Sequence, residues 1–249
     1  QEATEELQDL IRRTLGKGGK IFCPVFAVGR SQEVMVAIDQ LFKSDDFTSE
    51  PCTVWLDGMI SEATAIHASH PDFLNRDLRS KVLKGGDENP FNSPWFKQVD
   101  SREQRESILY DPSPCIVLAT SGMMTGGPII EYFKHWAPET NNTLCFVGYQ
   151  ASGTLGRRLQ QGHAEVPLMD KGKTHMVPIS CNVVTIDGFS GHSDRRQLME
   201  YVKALNPTPR KIICHHGDAK TCNAFRQGLR DEFRVQTYAP ANLETLRLK

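Results

Sequence analysis

Residues 181–218, CNVVTIDGFSGHSDRRQLMEYVKALNPTPRKIICHHGD, decide the fold class of this chain. Two apolar, β-branched runs, 181–186 and 211–214, are typical of buried strands. Between them, in 195–205, apolar residues recur at the spacing of one helical face. A strand, a helix and a strand in this order predict a right-handed crossover that joins two parallel strands of one sheet. We therefore expect an α/β fold.

Histidines follow both predicted strands. His192 lies in the sequence GFSGHSD, and His215 and His216 lie in CHHGD. Because parallel strands end at one edge of a sheet, where open α/β sheets bind ligands, we expect these histidines to be neighbours in a cleft. Asp194 and Asp218 each stand two residues after a histidine. They are predicted to orient the imidazoles, to favour the start of the following helices, or to do both.

The rest of the chain repeats this alternation of strand and helix patterns. Such alternation predicts a mostly parallel sheet with helices on both faces. A stretch rich in Gly, Asn and Pro is predicted to be a loop (85–94), and a later segment to be a hairpin that turns at 170–172. The predicted strands are 20–27, 53–56, 115–119 and 143–149, and the predicted helices are 5–15, 31–42, 61–70, 101–109, 129–136 and 154–161.

Composition excludes several classes of protein. The 29 basic and 30 acidic residues almost cancel, so any nucleic-acid binding must come from local patches. No apolar stretch reaches the length of a membrane span, and the first residues lack signal-peptide character, which favours a soluble cytoplasmic protein. The opening resembles the interior of a longer chain. The 7 cysteines form no CxxC pair and are typical of reduced thiols that fill a core.

A glycine-rich segment, SGMMTGGP at 121–128, joins a predicted strand to a predicted helix. Such a loop offers unpaired backbone N–H groups and the positive end of a helix to an anion, but it can also be a tight turn that needs glycine only for positive φ. A second segment, GYQASGT at 148–154, lacks the lysine of a P-loop and is predicted to be a turn at the same sheet edge. The candidate phosphate-binding residues of the first loop are Ser121, Gly122, Gly126 and Gly127.

Other polar residues near the predicted elements receive structural interpretations. Arg30 is predicted to be a surface cation beside a capping Ser31, with phosphate contact left open. Asp57 follows a predicted strand, where it can belong to the functional edge or cap the next turn, and the cap is favoured. His67 and His70 stand three residues apart, a spacing that can hold a metal, but no third ligand accompanies them and a solvated helix face is favoured.

Several segments together resemble one known family. GKGGKIFCPVFAVGRSQE, LATSGMMTGGP, GYQASGTLGRRL, GFSGHSD and CHHGD occur in the order seen in the β-CASP subgroup of metallo-β-lactamase-fold nucleases. That subgroup contains the endonuclease of the cleavage and polyadenylation specificity factor. The resemblance covers essentially the whole chain. GYQASGTLGRRL, VTIDGFSGHSDRRQL and NLETLRL look most like the archaeal member of the family, which carries N-terminal KH domains.

The resemblance implies a domain organisation and residue roles. Residues 1–185 resemble the β-CASP domain, and 186–249 resemble the C-terminal strands and helices of a metallo-β-lactamase domain whose N-terminal part is expected to be absent. It implies that His192 protonates the leaving RNA oxygen and that His216 binds a metal. His215 stands where the family usually has an aliphatic residue. Phosphates are expected at Arg30, at the 121–127 loop and at Ser190.

The chain departs from the family's pattern at the metal. Family members bind two zinc ions chiefly through an HxHxDH motif, a later histidine and a bridging aspartate, and this chain contains no HxH. The resemblance therefore implies the C-terminal portion of an enzyme, supplying about one metal ligand. We expect such a chain to hold the zinc pair incompletely and to be inactive alone.

The function expected from the resemblance is that of a portion of a zinc-dependent ribonuclease in mRNA 3′-end processing or transcription termination. Single-stranded RNA is the expected substrate, the full-length protein is expected to be a homodimer, and no membrane is involved. A second hypothesis is a non-catalytic RNA-binding subunit of an RNA-processing complex. A third, a Rossmann-like nucleotide-dependent enzyme, lacks both GxGxxG and a P-loop lysine.

Overall fold

The computed structural model describes residues 2–170, 172–189 and 192–247. The chain divides into two compact units, Gln1–Ser190 and Gly191–Lys249. None of the helices in these described ranges is long and apolar enough to cross a membrane.

The first unit alternates strands and helices along most of its length. Two short 3-10 helices, Pro71–Phe73 and Gly86–Glu88, flank its fourth α-helix. The strands are β1 Ile21–Pro24, β2 Val54–Asp57, β3 Phe96–Gln98, β4 Ile116–Ala119, β5 Thr143–Phe146, β6 Glu165–Asp170, β7 Lys173–Pro178 and β8 Asn182–Thr185. The helices are α1 Glu2–Leu15, α2 Arg30–Phe42, α3 Ile60–Ser69, α4 Arg76–Lys84, α5 Arg102–Tyr110, α6 Ile129–Trp136 and α7 Leu155–Gln160.

Six strands form one parallel sheet in the order β3-β2-β4-β1-β5-β8. Every residue of β1, β4 and β5 is buried, because helices cover both faces of the sheet. Along β1 the side chains alternate between two apolar clusters: Ile21 and Cys23 pack with α1 and α2, whereas Phe22 packs with α6 and α7. The predicted parallel sheet between two helical layers is confirmed.

Strands β6 and β7 form a separate antiparallel hairpin, as predicted. Of its predicted turn, Lys171 lies outside the described residues. The predicted loop at 85–94 contains only the second 3-10 helix. Helix α4 and strand β3 were not predicted, because α4 buries none of its side chains and β3 has only 3 residues.

The second unit is small and contains α8 Arg195–Ala204, β9 Lys211–Ile213, α9 Ala219–Phe233 and β10 Gln236–Tyr238. Strands β9 and β10 pair in parallel, with Ile212 opposite Thr237. The buried apolar core consists of Val202, Cys214 and Leu229.

The predicted strand, helix and strand at 181–214 are present, but the prediction that both strands share one sheet is wrong. Strand β8 pairs with β5 in the six-stranded sheet, whereas β9 pairs with β10 in a sheet of its own. The prediction of a buried first strand is also wrong, since β8 is an edge strand with exposed ends. Apolar periodicity identifies strands but not the neighbour that accepts their hydrogen bonds. The two strands therefore do not place the histidines at one edge of one sheet. A common cleft for the histidines stays a prediction.

Candidate functional site

The glycine-rich loop after β4 is closed by its own hydrogen bonds. Ser121 Oγ accepts a hydrogen bond from the Thr125 N–H at 3.0 Å and donates one to the Gly126 carbonyl at 3.2 Å. The N–H of Ile129, the first residue of α6, donates to the Thr120 carbonyl at 3.0 Å. The Ser121 hydroxyl thus holds the loop in shape. A direct contact from Ser121 to phosphate stays a prediction.

Two glycines of this loop adopt backbone conformations that other residues rarely reach. Gly126 has φ 149° and Gly127 has φ 76°. A Cβ atom on Gly127 would lie 2.7 Å from the Thr120 carbonyl oxygen, so the tight-turn interpretation is correct here. In the described part of the chain, neither glycine N–H donates to a protein acceptor. The loop therefore also keeps the free donors that phosphate binding requires.

Gln150 connects this loop to the one after β5, and sequence reasoning missed it. Its Nε2 group donates to the Gly122 carbonyl at 2.7 Å and to the Gly148 carbonyl at 3.3 Å, and its side chain is 2% exposed. A Cβ atom on Gly156 would lie 1.8 Å from Gln150 Oε1. A glutamine between the glycines of GYQASGTLG was the available signal, because buried amides are rarely left without partners.

Arg30 begins α2, and its side chain is only 13% exposed. Its Nη1 group lies 2.5 Å from Glu33 Oε2, so the expected surface cation is instead mostly buried and part of an ion pair. The prediction that Ser31 caps the helix is wrong. The cap residue is Gly29, and the buried Ser31 hydroxyl donates back to the Ala27 carbonyl at 2.9 Å. Phosphate contact by Arg30 stays a prediction, and it requires the guanidinium to bind both Glu33 and the phosphate.

Asp57, at the end of β2, is buried with 1% exposure and does not cap a helix. Arg105 of α5 donates to it from Nε at 2.6 Å and from Nη2 at 2.8 Å, and the Tyr132 hydroxyl of α6 donates at 2.8 Å. A buried carboxylate requires such partners, and this need overrides the local capping role that we predicted. Burial, with the neighbouring carboxylate, raises the pKa of Tyr132.

The two loops that carry His192 and His216, called the histidine loops below, belong to the second unit. His192 is exposed shortly before α8. Asp194 caps that helix: its Oδ1 accepts from the Gln197 N–H at 2.7 Å, and Gln197 Oε1 accepts from the Asp194 N–H at 2.9 Å. The helix-start role of Asp194 is thereby confirmed. Its orientation of His192 stays a prediction, and Ser190 lies outside the described residues.

His216 follows β9 in a left-handed conformation, φ 67°, and is exposed. Its ring centroid lies 6.5 Å from that of His215. Asp218 occupies the position before α9 without a side-chain capping bond. The role of Asp218 in orienting His216 stays a prediction.

The described residues do not fit a complete zinc site. Nowhere among them do three His, Cys, Asp or Glu side chains come together to hold a metal. On α3, His67 Nδ1 lies 2.7 Å from the Ala63 carbonyl oxygen, whereas His70 follows the end of the helix and is exposed. Burial raises the pKa of the Cys52 thiol to about 12 and those of Cys115 and Cys181 to about 11, so these groups are protonated at neutral pH. Protonated thiols are poor metal ligands.

Comparison with known proteins agrees with this fold. A family model described as Beta-Casp domain matches residues 31–159, and one described as Zn-dependent metallo-hydrolase RNA specificity domain matches residues 176–240. Transcription termination factor FttA of Methanosarcina mazei is 50% identical over 249 residues, which cover 100% of this chain and 39% of that protein.

Two further relatives carry the same name. FttA of Methanocaldococcus jannaschii is 47% identical over 250 residues, with 100% of this chain and 39% of that protein covered. FttA of Thermococcus kodakarensis is 43% identical over 250 residues, with 100% and 38% covered. The chain thus spans about 39% of the length of the relatives it matches. Because the Beta-Casp match includes more than half of the residues and the sheet has the expected α/β form, the chain belongs to the Beta-Casp family.

Proposed function

We propose that this chain is the RNA-binding part of a zinc-dependent ribonuclease that acts in transcription termination or mRNA 3′-end processing. One observation carries the proposal: the free N–H groups of Gly126 and Gly127 lie at the carboxyl edge of the parallel sheet, directly before α6. Anions bind at such places because amide donors and the positive helix end act together. The names of the relatives, transcription termination factor, support the process.

RNA is bound through its phosphates in this proposal. The donors are the glycine amides together with Ser121, Gly122 and Arg30, and Arg157 adds an exposed positive charge in the first turn of α7. Ser190 is a further phosphate-binding candidate, proposed from the sequence. Contacts to phosphate do not depend on the identity of the base, so binding tolerates many sequences. Because these contacts are electrostatic, binding weakens as the salt concentration increases. We infer that this RNA is single-stranded.

The histidine loops supply the chemistry. His192 is the proposed general acid that protonates the leaving RNA oxygen, and its exposed ring is accessible to a substrate. His216 is the proposed zinc ligand, with Asp218 orienting its ring. Since the described residues do not complete a four-coordinate zinc site, the other ligands of the two-zinc centre come from outside this chain.

The remaining assignments follow from the same family. We infer that residues 1–185 are the β-CASP domain and that 186–249 belong to the metal-binding domain. We also infer a homodimer for the longer protein and a cytoplasmic location, as befits a factor that acts on transcripts. A non-catalytic RNA-binding subunit is the second candidate function, favoured by the incomplete metal site among the described residues.

Salt-dependent binding of unpaired RNA tests the proposal. We expect affinity for a short oligoadenylate to fall at least about tenfold between about 50 and about 200 mM salt. Arg157→Ala should weaken binding further, whereas Lys17→Ala, which removes an exposed cation before β1 at the opposite edge, should not. Phosphate binding at this edge is contradicted if the RNA affinity does not change with salt concentration. It is also contradicted if the two substitutions weaken RNA binding equally.

A further inference from the structure

The carboxyl edge of the six-stranded sheet exposes aromatic and apolar side chains. Phe26 is 46% exposed, Val28 is 67% exposed and Tyr149 is 60% exposed, although the strands that lead to them are buried throughout. A scattered exposed leucine requires no explanation, but several large apolar side chains along one edge often mark a binding surface.

Phe26 and Tyr149 occupy neighbouring loops. Strands β1 and β5 are adjacent and aligned with Phe22 opposite Leu144, so the two strands end at the same level. Neighbouring strands lie about 4.8 Å apart. Phe26 and Tyr149 follow the ends of these strands by two and three residues. Phe26 and Tyr149 therefore lie in adjacent loops at one edge of the sheet.

The glycine-rich loop lies against the first of these rings. A Cβ atom on Gly122 would lie 2.9 Å from Phe26 Cδ2, so any larger residue at position 122 would displace the Phe26 ring. Gln150, directly after Tyr149, donates to the Gly122 carbonyl at 2.7 Å. This buried hydrogen bond connects the loop that carries Tyr149 with the loop that carries the free amides, and Phe26 packs against Gly122 of that same loop. The three loops are organised before any ligand arrives, which reduces the cost of binding.

The charges of this edge indicate the ligand. Residues 25–29, 120–128 and 147–154 contain no Asp or Glu, and Gly126 and Gly127 present free N–H donors. An anion is therefore attracted at the same place where flat apolar rings are exposed. Single-stranded nucleic acid has both features, a phosphate and an unpaired base, whereas a duplex hides the faces of its bases.

We propose that Phe26 and Tyr149 form a stacking platform for two bases of unpaired RNA, with the intervening backbone phosphate on the amides of Gly126 and Gly127. This inference rests on the proposed function, because it adds base contacts to the proposed phosphate site. Stacking accepts every base, since each has a π-face, and favours the larger purines. The edge then selects unpaired RNA without selecting a sequence.

Substitutions that remove a ring but keep an apolar side chain test the platform. We expect Phe26→Leu and Tyr149→Leu each to weaken oligoadenylate binding by about tenfold, since stacking on one aromatic ring contributes at about this level. Phe26→Tyr and Tyr149→Phe keep the rings and should remain within about threefold. Phe73→Leu is the matched control, because Phe73 is an aromatic residue 89% exposed in the first 3-10 helix.

The same proteins are then titrated with an abasic ribose-phosphate oligomer of equal length. We expect it to bind the unchanged chain about as weakly as oligoadenylate binds the leucine variants, with no further loss in those variants. If oligoadenylate and the abasic oligomer bind equally well, or if the leucine variants bind RNA normally, the platform is wrong while phosphate binding stands; the apolar edge then serves a protein partner. If neither oligomer binds, the proposed function and the platform both fail. Circular dichroism of each variant verifies that it is folded.

Discussion

The two units of this protein differ in how they hold their candidate site residues. In the first unit, a sheet covered on both faces ends in loops, two of which are joined by a hydrogen bond from buried Gln150. At the end of β2, Asp57 accepts hydrogen bonds from Arg105 of α5 and Tyr132 of α6. In the second, a two-stranded sheet and a core of three buried apolar residues support exposed histidine loops. Two-stranded sheets with small cores have little stability of their own. The proposed RNA-binding edge is thus preorganised within its unit, whereas the histidine loops are supported by a smaller core.

The largest expected effect is the loss of stability in the first unit when its buried ion pair is removed. Asp57→Ala leaves Arg105 and the Tyr132 hydroxyl without their shared acceptor, and we expect a loss of about 3 kcal/mol or more in the free energy of unfolding. Urea unfolding followed by tryptophan fluorescence reports on this unit alone, because Trp55, Trp95 and Trp136 all lie in it.

The matched control for that change is Asp72→Ala. Asp72 pairs with Arg79 at 2.6 Å, but both side chains are about half exposed or more, at 75% and 48%. An exposed pair contributes less than about 1 kcal/mol. Equal losses in the two variants would show that the buried pair does not anchor the sheet.

One substitution made in both units sharpens the comparison. A Cβ atom on Gly156 would lie 1.8 Å from Gln150 Oε1, and one on Gly228 would lie 1.9 Å from Arg195 Nη2. Gln150 is buried and hydrogen-bonded, so Gly156→Ala should cost about 2 kcal/mol and weaken RNA binding. Arg195 is exposed and can move aside, so Gly228→Ala should cost under about 1 kcal/mol.

Thermal unfolding of both alanine variants, with RNA titration of the first, measures these outcomes. A Gly156→Ala variant with unchanged stability and RNA affinity would mean that Gln150 does not hold the loops. A Gly228→Ala variant that unfolds the second unit would mean that its helices pack as rigidly as those of the first.

Alkaline pH should weaken the first unit. Burial raises the pKa of Tyr132 and raises those of the Cys52 and Cys115 thiols from 9.0 to about 12 and about 11. The folded chain keeps protons that the unfolded chain releases, so the contribution is complete below about pH 9 and is lost as the pH rises through the folded values.

Tyr132→Phe separates the tyrosine from the thiols in this pH dependence. We expect a loss of about 1 kcal/mol at neutral pH, because one hydrogen bond to Asp57 disappears. Above about pH 10 the variant should lose stability less steeply than the unchanged chain. Urea unfolding across this range is the measurement, and parallel curves would assign the whole pH dependence to other groups.

The smallest expected signal is zinc content. We expect less than one zinc per chain after desalting, because a stable site needs about four ligands. His216→Ala should lower the residual content further, whereas His175→Ala on the hairpin should not. Elemental analysis checks both, and two tightly held zinc ions per chain would contradict the metal assignment.

Much of the first unit was predictable because apolar runs and helical periodicity report burial directly. Strands β1, β4 and β5 and helix α6 appeared where those patterns placed them. Long-range polar pairing was not predictable: Asp57 meets partners 48 and 75 residues away, and Gln150 meets Gly122 at a separation of 28. Single-sequence patterns carry no information about such pairs, nor about which strand β8 joins.

The site was predicted in part for the same reason. Glycine spacing identified the loop at 121–128 because positive φ and free amides are local properties. The exposed Phe26 and Tyr149 were missed because they fall inside the predicted strands 20–27 and 143–149, which in the structure end at Pro24 and Phe146. An aromatic residue within an apolar strand normally belongs to the core.

Amide hydrogen exchange of the chain with and without unpaired RNA tests the central claim most directly. The account predicts that RNA slows exchange at Gly126 and Gly127 and in the loop of Gln150, while 211–218 exchanges as before. The contradicting result is unchanged exchange at both glycines while RNA is bound, or protection confined to the histidine loops. Either outcome would move the RNA site away from the edge of the six-stranded sheet.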